Sequence, residues 1–310
     1  MGVPVAPAPL SGRACILLST YNGSRFILEQ LDSLTSQLDC LVDILVRDDG
    51  STDDTVEKLR RYSRADGRLT IVAGSNLGVT NSFLSLLREA PDGYDAYFFC
   101  DQDDVWNPRK VSYAMQTLSA QAAATPALYF CRLRYVSETG ALLGSSRVPP
   151  HVGLQNALVE NVAIGCTVAM NGAARRAICE RLPKRAIMHD WWCYLVVSAL
   201  GVVVFDPRTL IDYRQHGGNT VGADQGKLAV RVVRRFRRKA DVVTRSAQAA
   251  EFLLLYSDVM PRESRQLVEL FVAGKQSLRR RIDLLRQQLV RRSTWSDQLL
   301  MSFQLAVNDY

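Results

Sequence analysis

Four short apolar runs punctuate the first hundred residues, at 15–19, 41–46, 69–73 and 94–100. Each is too short for a buried helix and is bounded by turn-forming residues, so each reads as a buried strand. Between them, residues 26–36 carry apolar side chains at 27, 28, 31 and 34, a helical spacing, and 53–62 and 80–89 read as two further helices. Ser51 or Thr52 would cap the helix at 53–62. Strand–helix alternation of this kind leaves few folds open. It predicts an α/β fold built on a mostly parallel sheet flanked by helices. The second half is less regular. Strands are expected at 128–135, 165–170, 201–205 and 210–214, helices at 173–181 and 190–200, and an entirely helical, basic extension from about residue 227.

Charge divides the chain the same way. Residues 227–310 hold 17 Lys and Arg against 8 Asp and Glu, whereas residues 1–226 hold 21 against 23. Two parts with different partners are therefore expected: 13–226 as the catalytic unit and 227–310 as a basic helical region, after a flexible lead-in at 1–12. That lead-in has three prolines and no basic start, unlike a secretory signal, and Ala6 breaks a myristoylation pattern. No window approaches eighteen uninterrupted apolar residues, so no spanning helix is expected. The seven cysteines are scattered without a C-x-x-C pair and read as reduced core residues of a cytoplasmic protein.

All four N-terminal strands point their C-terminal ends at one rim of a parallel sheet, the edge where open α/β folds bind ligands. Strand one ends in Ser19-Thr20-Tyr21-Asn22, and strand two in Asp48-Asp49-Gly50-Ser51. Ser75-Asn76-Leu77-Gly78 follows strand three, and strand four ends in Asp101-Gln102-Asp103-Asp104. Three clustered carboxylates repel one another unless a cation sits among them, and a hard ion such as Mg²⁺ or Mn²⁺ suits oxygen ligands. An acidic residue on the same rim can accept a pyrimidine ring N–H, and Tyr21 can cover the ring face. Taken singly, the plainer readings are a turn and helix cap for 48–51, packing for Tyr21 and a solvated turn for 101–104. Jointly these readings leave the convergence unexplained, and a nucleoside diphosphate held on one rim by base and metal fits all four.

These strings, with Val105-Trp106 completing the last, resemble glycosyltransferase family 2 in order and spacing over roughly residues 13–222. The resemblance implies a GT-A fold, a nucleotide-sugar donor, a divalent metal on the Asp cluster and inversion at the sugar carbon. Asp49, helped by Ser19, Thr20, Tyr21, Asn76 and Gly78, would hold the nucleotide. Asp103 would hold the metal with Asp101 or Asp104. Further on, Met188-His189-Asp190-Trp191-Trp192 and Asp212-Tyr213-Arg214-Gln215-His216-Gly217-Gly218-Asn219 resemble bacterial rhamnosyltransferases within the family. By that likeness Asp190 is the general base and His216 a third metal ligand. Asp190 could equally cap the helix that follows it. Arg214 is a candidate diphosphate partner. Trp191 and Trp192 are candidate acceptor walls, although adjacent helical residues face different ways, so one of them belongs to the core.

The expected activity is transfer of L-rhamnose from dTDP-rhamnose to a bacterial surface glycan or lipid-linked glycan. Transfer of another hexose from a UDP-sugar is the alternative within the class, and a membrane-bound scaffold without turnover the alternative outside it. A dinucleotide dehydrogenase fails because strand one leads to Thr20-Tyr21-Asn22-Gly23 rather than G-x-G-x-x-G. In the tail, residues 230–239 set apolar positions among arginines, and 278–292 repeat the mixture. The surface suits an anionic membrane on the cytoplasmic side, or else is a packed appendage or an oligomer contact. Nucleic acid is disfavoured, since no stacking aromatics accompany the charge.

Overall fold

The computed structural model describes residues 12–216 and 243–310. The first strands follow the apolar runs: β1 (Arg13–Thr20), β2 (Leu41–Asp48), β3 (Leu69–Ala73) and β4 (Ala96–Cys100). Helices α1 (Ile27–Thr35), α2 (Thr55–Ala65) and α3 (Val79–Glu89) lie between them. β1 pairs in parallel with β2 and β4, and β2 with β3, so their C-terminal ends share one edge. Alternate residues of β1 feed opposite faces: Cys15 and Leu17 join one core, Ile16 and Leu18 the other. A strand buried on both sides must be apolar throughout, which is why these runs show no alternation.

The expected cap of α2 is not formed. Ser51 Oγ instead donates to Asp48 Oδ2 at 2.6 Å, and α2 begins later, with Asp53 Oδ1 accepting from the backbone N–H of Thr55.

The remaining strands are β5 (Val105–Trp106), β6 (Ala127–Ser137), β7 (Leu142–Ser145), β8 (Val168–Met170) and β9 (Val202–Gln215). With them come helices α4 (Lys110–Ser119), α5 (Leu154–Ala157), α6 (Gly172–Cys179) and α7 (His189–Leu200). The sheet runs β3-β2-β1-β4-β8-β6-β9-β5, with β7 on β6. β8 is antiparallel to both β4 and β6. Two expected strands, 201–205 and 210–214, are one strand, β9. Its register against β6 shifts between Cys131 and Arg132, where Asp206 is followed in the pairing by Thr209. The skipped Pro207 lacks an N–H, and Asp206 Oδ1 receives the N–H of Arg208 at 2.9 Å, so a bulge absorbs both residues without breaking the strand. The strand expected at 165–170 is half strand. Residues 165–167 form a 3₁₀ turn that leads into β8.

After residue 242 come α8 (Arg245–Tyr256), α9 (Arg262–Ala273), α10 (Leu278–Arg286) and α11 (Trp295–Ala306). Phe252, Tyr256, Phe271, Leu284, Met301 and Tyr310 join the core that contains Trp192 and Leu195. These four helices thus complete a face of the sheet domain. The basic stretch at 230–239 lies outside the described residues.

Candidate active site

The sheet edge collects the strand ends as the sequence implies. Gln102 ties the ends of β1 and β4 together: its Oε1 accepts from Thr20 Oγ1 at 2.7 Å and from Tyr21 N at 2.9 Å. A Cβ on Gly23 would lie 2.2 Å from Gln102 Oε1, so a side chain there would displace Gln102 from the ends of β1 and β4. Ser19 Oγ shares a 2.7 Å hydrogen bond with Ser82 of α3. At the end of β2, Asp49 is buried, and its two oxygens accept from Leu77 N at 2.9 Å and Gly78 N at 3.0 Å. Arg47 adds a longer contact at 3.4 Å. A carboxylate has about four acceptor positions, so Asp49 retains capacity for a ligand N–H. Gly78 has φ +75°, a conformation that favours glycine and aims its N–H at Asp49. Asn76 is exposed, and its Oδ1 accepts from the same Gly78 N–H at 3.0 Å, shaping the loop.

Beside these groups lies a cavity of about 230 Å³. Ser19, Tyr21 and Asp49 line it from the first two strand ends, Asp101 and Asp103 from the fourth, and Gly165, His189 and Asp190 from the second half of the chain. Asp104 does not. It is buried behind the rim, where its Oδ1 accepts from the backbone N–H of Arg214. Asp103 Oδ2 is 2.7 Å from His216 Nε2. Burial raises the Asp101 carboxyl to about 7, with Asp103 and then Asp190 adding to the effect. Burial also holds the Asp104 carboxyl well above the carboxylate range, with Asp101 and Asp103 reinforcing it. Clustered carboxylates pushed this way favour any added positive charge.

Two donor sets are therefore present. Asp103 and His216 form the outer one, joined by that 2.7 Å contact, with the Asp101 carboxylate beside Asp103 on the cavity. Asp101, Asp104 and Cys166 form an inner one, with ligand atoms within 4.8 Å of one another. Burial holds the Cys166 thiol well above its usual range, so it stays protonated, and a thiol suits Mg²⁺ or Mn²⁺ poorly. With a protonated thiol the inner set does not fit a hard divalent ion; two carboxylates and an imidazole, the groups of the outer set, are donor types that such an ion takes.

Asp190 is in the first turn of α7, one residue inside the helix, and is not its N-cap, which is Met188. Its Oδ2 accepts from Gly165 N at 2.8 Å and its Oδ1 from Trp191 N at 2.6 Å. Burial pushes this carboxyl up to about 6, while the two backbone N–H groups and the Asn161 amide pull the other way. His189 stacks on Phe83 at 4.1 Å and meets the edge of Phe99 at 4.8 Å. Neither of its ring nitrogens has a hydrogen-bond partner among the described residues, and burial lowers its pKa to about 3, so the ring is neutral.

Three expected site residues are placed elsewhere. Arg214 is buried and its fork is occupied: Nε donates to Asp103 O, Nη1 to Glu138 O and Nη2 to Glu29 Oε2. It braces the loop that carries Asp103 instead of facing the cavity. Trp192 is fully buried against Phe252 and Tyr256 of α8. Trp191 donates its indole N–H to Ala157 O at 2.6 Å and does not line the cavity. Gln102, Gly165 and His189 are the site residues that sequence reasoning left without a role. Gln102 stood in plain view between the two rim aspartates, and His189 directly before Asp190. Gly165 carried no signal, because its partner lies 25 residues away.

Comparison with known proteins agrees with this geometry. The family model described as glycosyl transferase family 2 matches residues 15–182. The dTDP-rhamnosyl transferase RfbG of Shigella flexneri is 26% identical over 229 residues, which cover 67% of this chain and 74% of that protein. Among solved structures, S. aureus TarS 1–349 in complex with UDP-GlcNAc superposes with a TM-score of 0.56 at 17% identity, covering 96% of this chain and 88% of the other. The mannosyltransferase PcManGT from Pyrobaculum calidifontis, in complex with GDP-Man and Mn²⁺, gives a TM-score of 0.51 at 16% identity, covering 100% and 90%. The parallel half-sheet, the aspartate-rich rim and the family match lead to one conclusion: this chain belongs to glycosyl transferase family 2 and is a glycosyltransferase of the GT-A fold.

Proposed function

We propose that the chain is an inverting, divalent-metal-dependent transferase that moves L-rhamnose from dTDP-rhamnose to a bacterial surface glycan. The observation that carries the reading is the single cavity onto which Asp49, the Asp101–Asp103 pair and Asp190 all open. A pyrimidine ring N–H would be accepted by Asp49, with Tyr21, which is 48% exposed, against the ring face. Ser19 and the Gly78 loop frame the nucleotide, while Thr20 and Asn76 act through the hydrogen bonds that shape the rim. Asp101, Asp103 and His216 would hold the metal, and Asp104 would stay behind them, its buried carboxyl accepting from the Arg214 backbone N–H. A divalent cation held there would screen the negative charge that develops on the leaving diphosphate. Asp190 takes the proton of the acceptor hydroxyl as that oxygen attacks the anomeric carbon from the face opposite the diphosphate. The new C–O bond forms as the old one breaks, and its electron pair leaves with the diphosphate.

The rhamnosyl assignment draws on the similarity to RfbG. TarS in complex with UDP-GlcNAc supports a UDP-hexose donor as the second reading, since both nucleotides offer the same ring N–H. The test is a panel of nucleotide sugars with Mn²⁺ or Mg²⁺, scored for hydrolysis. We expect dTDP-rhamnose to be cleaved fastest, with loss of activity in chelator and in Asp103→Ala, and little change in melting temperature for that rim variant. Preference for a UDP-hexose would replace the donor. Full activity of Asp103→Ala in chelator would remove the metal.

We further place the protein on an anionic membrane surface at the cytoplasmic side. No described helix is long and apolar enough to cross a membrane. On α10, Leu278 and Ile282 are exposed beside exposed Arg279 and Arg286. On α11, Trp295, Leu299, Phe303 and Val307 form an exposed stripe at four-residue spacing. Apolar faces rimmed with arginine match acyl chains beneath anionic headgroups. Two copies joined symmetrically through the same face would set their arginines against each other.

A further inference from the structure

The acceptor has no place at Trp191 or Trp192, since one is core and the other is bonded to Ala157 O. A second and larger cleft, of about 660 Å³, lies next to the donor cavity. β6, β7, the 160–164 segment and the start of α11 form it, so the sheet domain and the C-terminal helices build it jointly. Two contacts connect it to the donor cavity. Ile164 lines both spaces. Tyr135 of the cleft packs edge-on against Tyr213 of the cavity, with ring centroids 6.2 Å apart.

We propose that this cleft is the acceptor site, and that its occupant is a glycan delivered hydroxyl-first to Asp190 past Asn161 and Ile164. The inference rests on the transferase reading above and adds to it the place where the acceptor glycan binds. Sugar rings present an apolar face and a rim of hydroxyls. Tyr135 and Phe205 supply partly exposed aromatic surface for the first, and Ser145, Ser146 and Ser296 supply hydroxyls for the second. The lining carboxylates of Glu160 and Asp297 are both paired with Arg292, which leaves Arg147 as the lining's one other charge. One wall is rigid: Glu160 Oε2 accepts from both Ser293 N at 2.7 Å and Ser293 Oγ at 2.8 Å, and Arg292 pairs with Glu160 Oε1. A prearranged wall of this kind lowers the ordering cost of binding.

The test separates two fates of the donor, hydrolysis by water and transfer to a sugar. The probes are soluble p-nitrophenyl hexosides at rising concentration, with the best donor of the panel and Mn²⁺. Ser296→Trp and Ser145→Trp fill the cleft from α11 and from β7. Both residues are exposed, so a misfolded variant of one leaves the other to decide. We expect saturable transfer to at least one hexoside by the parent protein. In the filled variants the KM for that hexoside should rise tenfold or more, with hydrolysis of the donor by water unchanged. Unchanged KM in both variants would overturn the location. Donor hydrolysis by the parent with no saturable transfer to any hexoside would overturn the glycan assignment. A parent protein that hydrolyses no donor would instead sink the transferase reading beneath it.

Discussion

Asp190 is the residue on which the chemistry turns. Its carboxyl faces Asp101 across the cavity, adjoins the neutral ring of His189 and the thiol of Cys193, and is held by two backbone N–H groups. Burial raises it to about 6, so as a base it becomes competent only as pH climbs through that value. We expect the rate of the parent to rise with a midpoint near pH 6 and reach a plateau above it. Asp190→Asn should lose roughly 10²–10⁴ in rate and that limb of the profile, with donor KM little changed. The stability linkage has the opposite sense. A carboxyl raised in the folded state favours folding below its unfolded value near 4, and the benefit is lost as pH rises through about 6. The Asn variant should therefore gain stability relative to the parent above pH 6, which urea titrations at pH 4.5 and 7.5 will show. Equal losses of donor affinity and rate would assign Asp190 to donor binding instead. How far the sequence foretold such roles depends on where each residue's partners come from. Asp49, Asp101 and Asp103 reach the cavity because a strand end fixes their direction, and strand ends can be read from an apolar run. Arg214 and Trp191 could not be read this way. Their partners, Glu29 and Glu138 for the first and Ala157 for the second, come from distant segments that no local pattern brings near.

At the scale of elements, the alternation of the first hundred residues carried over almost strand for strand, because β1, β2 and β4 bury both faces and each helix one. Irregular segments were legible only in part. The bulge in β9 hides a single strand behind Asp206-Pro207-Arg208, and the two-residue β5 is too short to carry a period. Gly201, between α7 and β9, shows why such joints are specific. Its φ is −157°, within the reach of any residue, yet a Cβ there would sit 1.9 Å from Pro126 O. That carbonyl also accepts the N–H of Val202 at 2.9 Å, the contact that starts the β6–β9 pairing. Gly201→Ala must push the two strands apart where they begin. It should cost about 1–3 kcal/mol, read as a lower urea midpoint at unchanged slope. Gly67, with nothing within 4 Å of its added Cβ, is the matched control, and Gly67→Ala should fall within about 0.5 kcal/mol of the parent. A Gly201→Ala protein as stable as that control would mean the joint yields freely.

For the whole molecule, the division of charge seen in the sequence becomes a division of surface. The C-terminal helices bury Phe252, Tyr256, Phe271 and Met301 in the shared core, yet leave Arg279, Arg280, Arg286 and Arg291 exposed. Trp295 is 78% exposed on the helix whose Ser296 lines the acceptor cleft. A lipid-linked glycan could therefore reach the cleft from the surface on which the protein rests. Attraction to anionic lipid is worth roughly 1 kcal/mol per basic residue near the headgroups, so four arginines supply a weak, reversible hold, to which inserted Trp295 and Phe303 would add. Screening shortens the reach of the first contribution and leaves the second intact. Binding to vesicles containing phosphatidylserine should fall between low and high salt and be weak on phosphatidylcholine alone. Replacing Arg279, Arg280, Arg286 and Arg291 with Gln should reproduce the high-salt result. Trp295→Ala with Phe303→Ala should weaken binding at every salt concentration without changing its slope, and hydrolysis of soluble donor should be untouched in both variants. Indifference to lipid charge would exclude the membrane as occupant. A dimer in solution that the Trp295 and Phe303 changes dissociate would assign the stripe to a second copy of the chain.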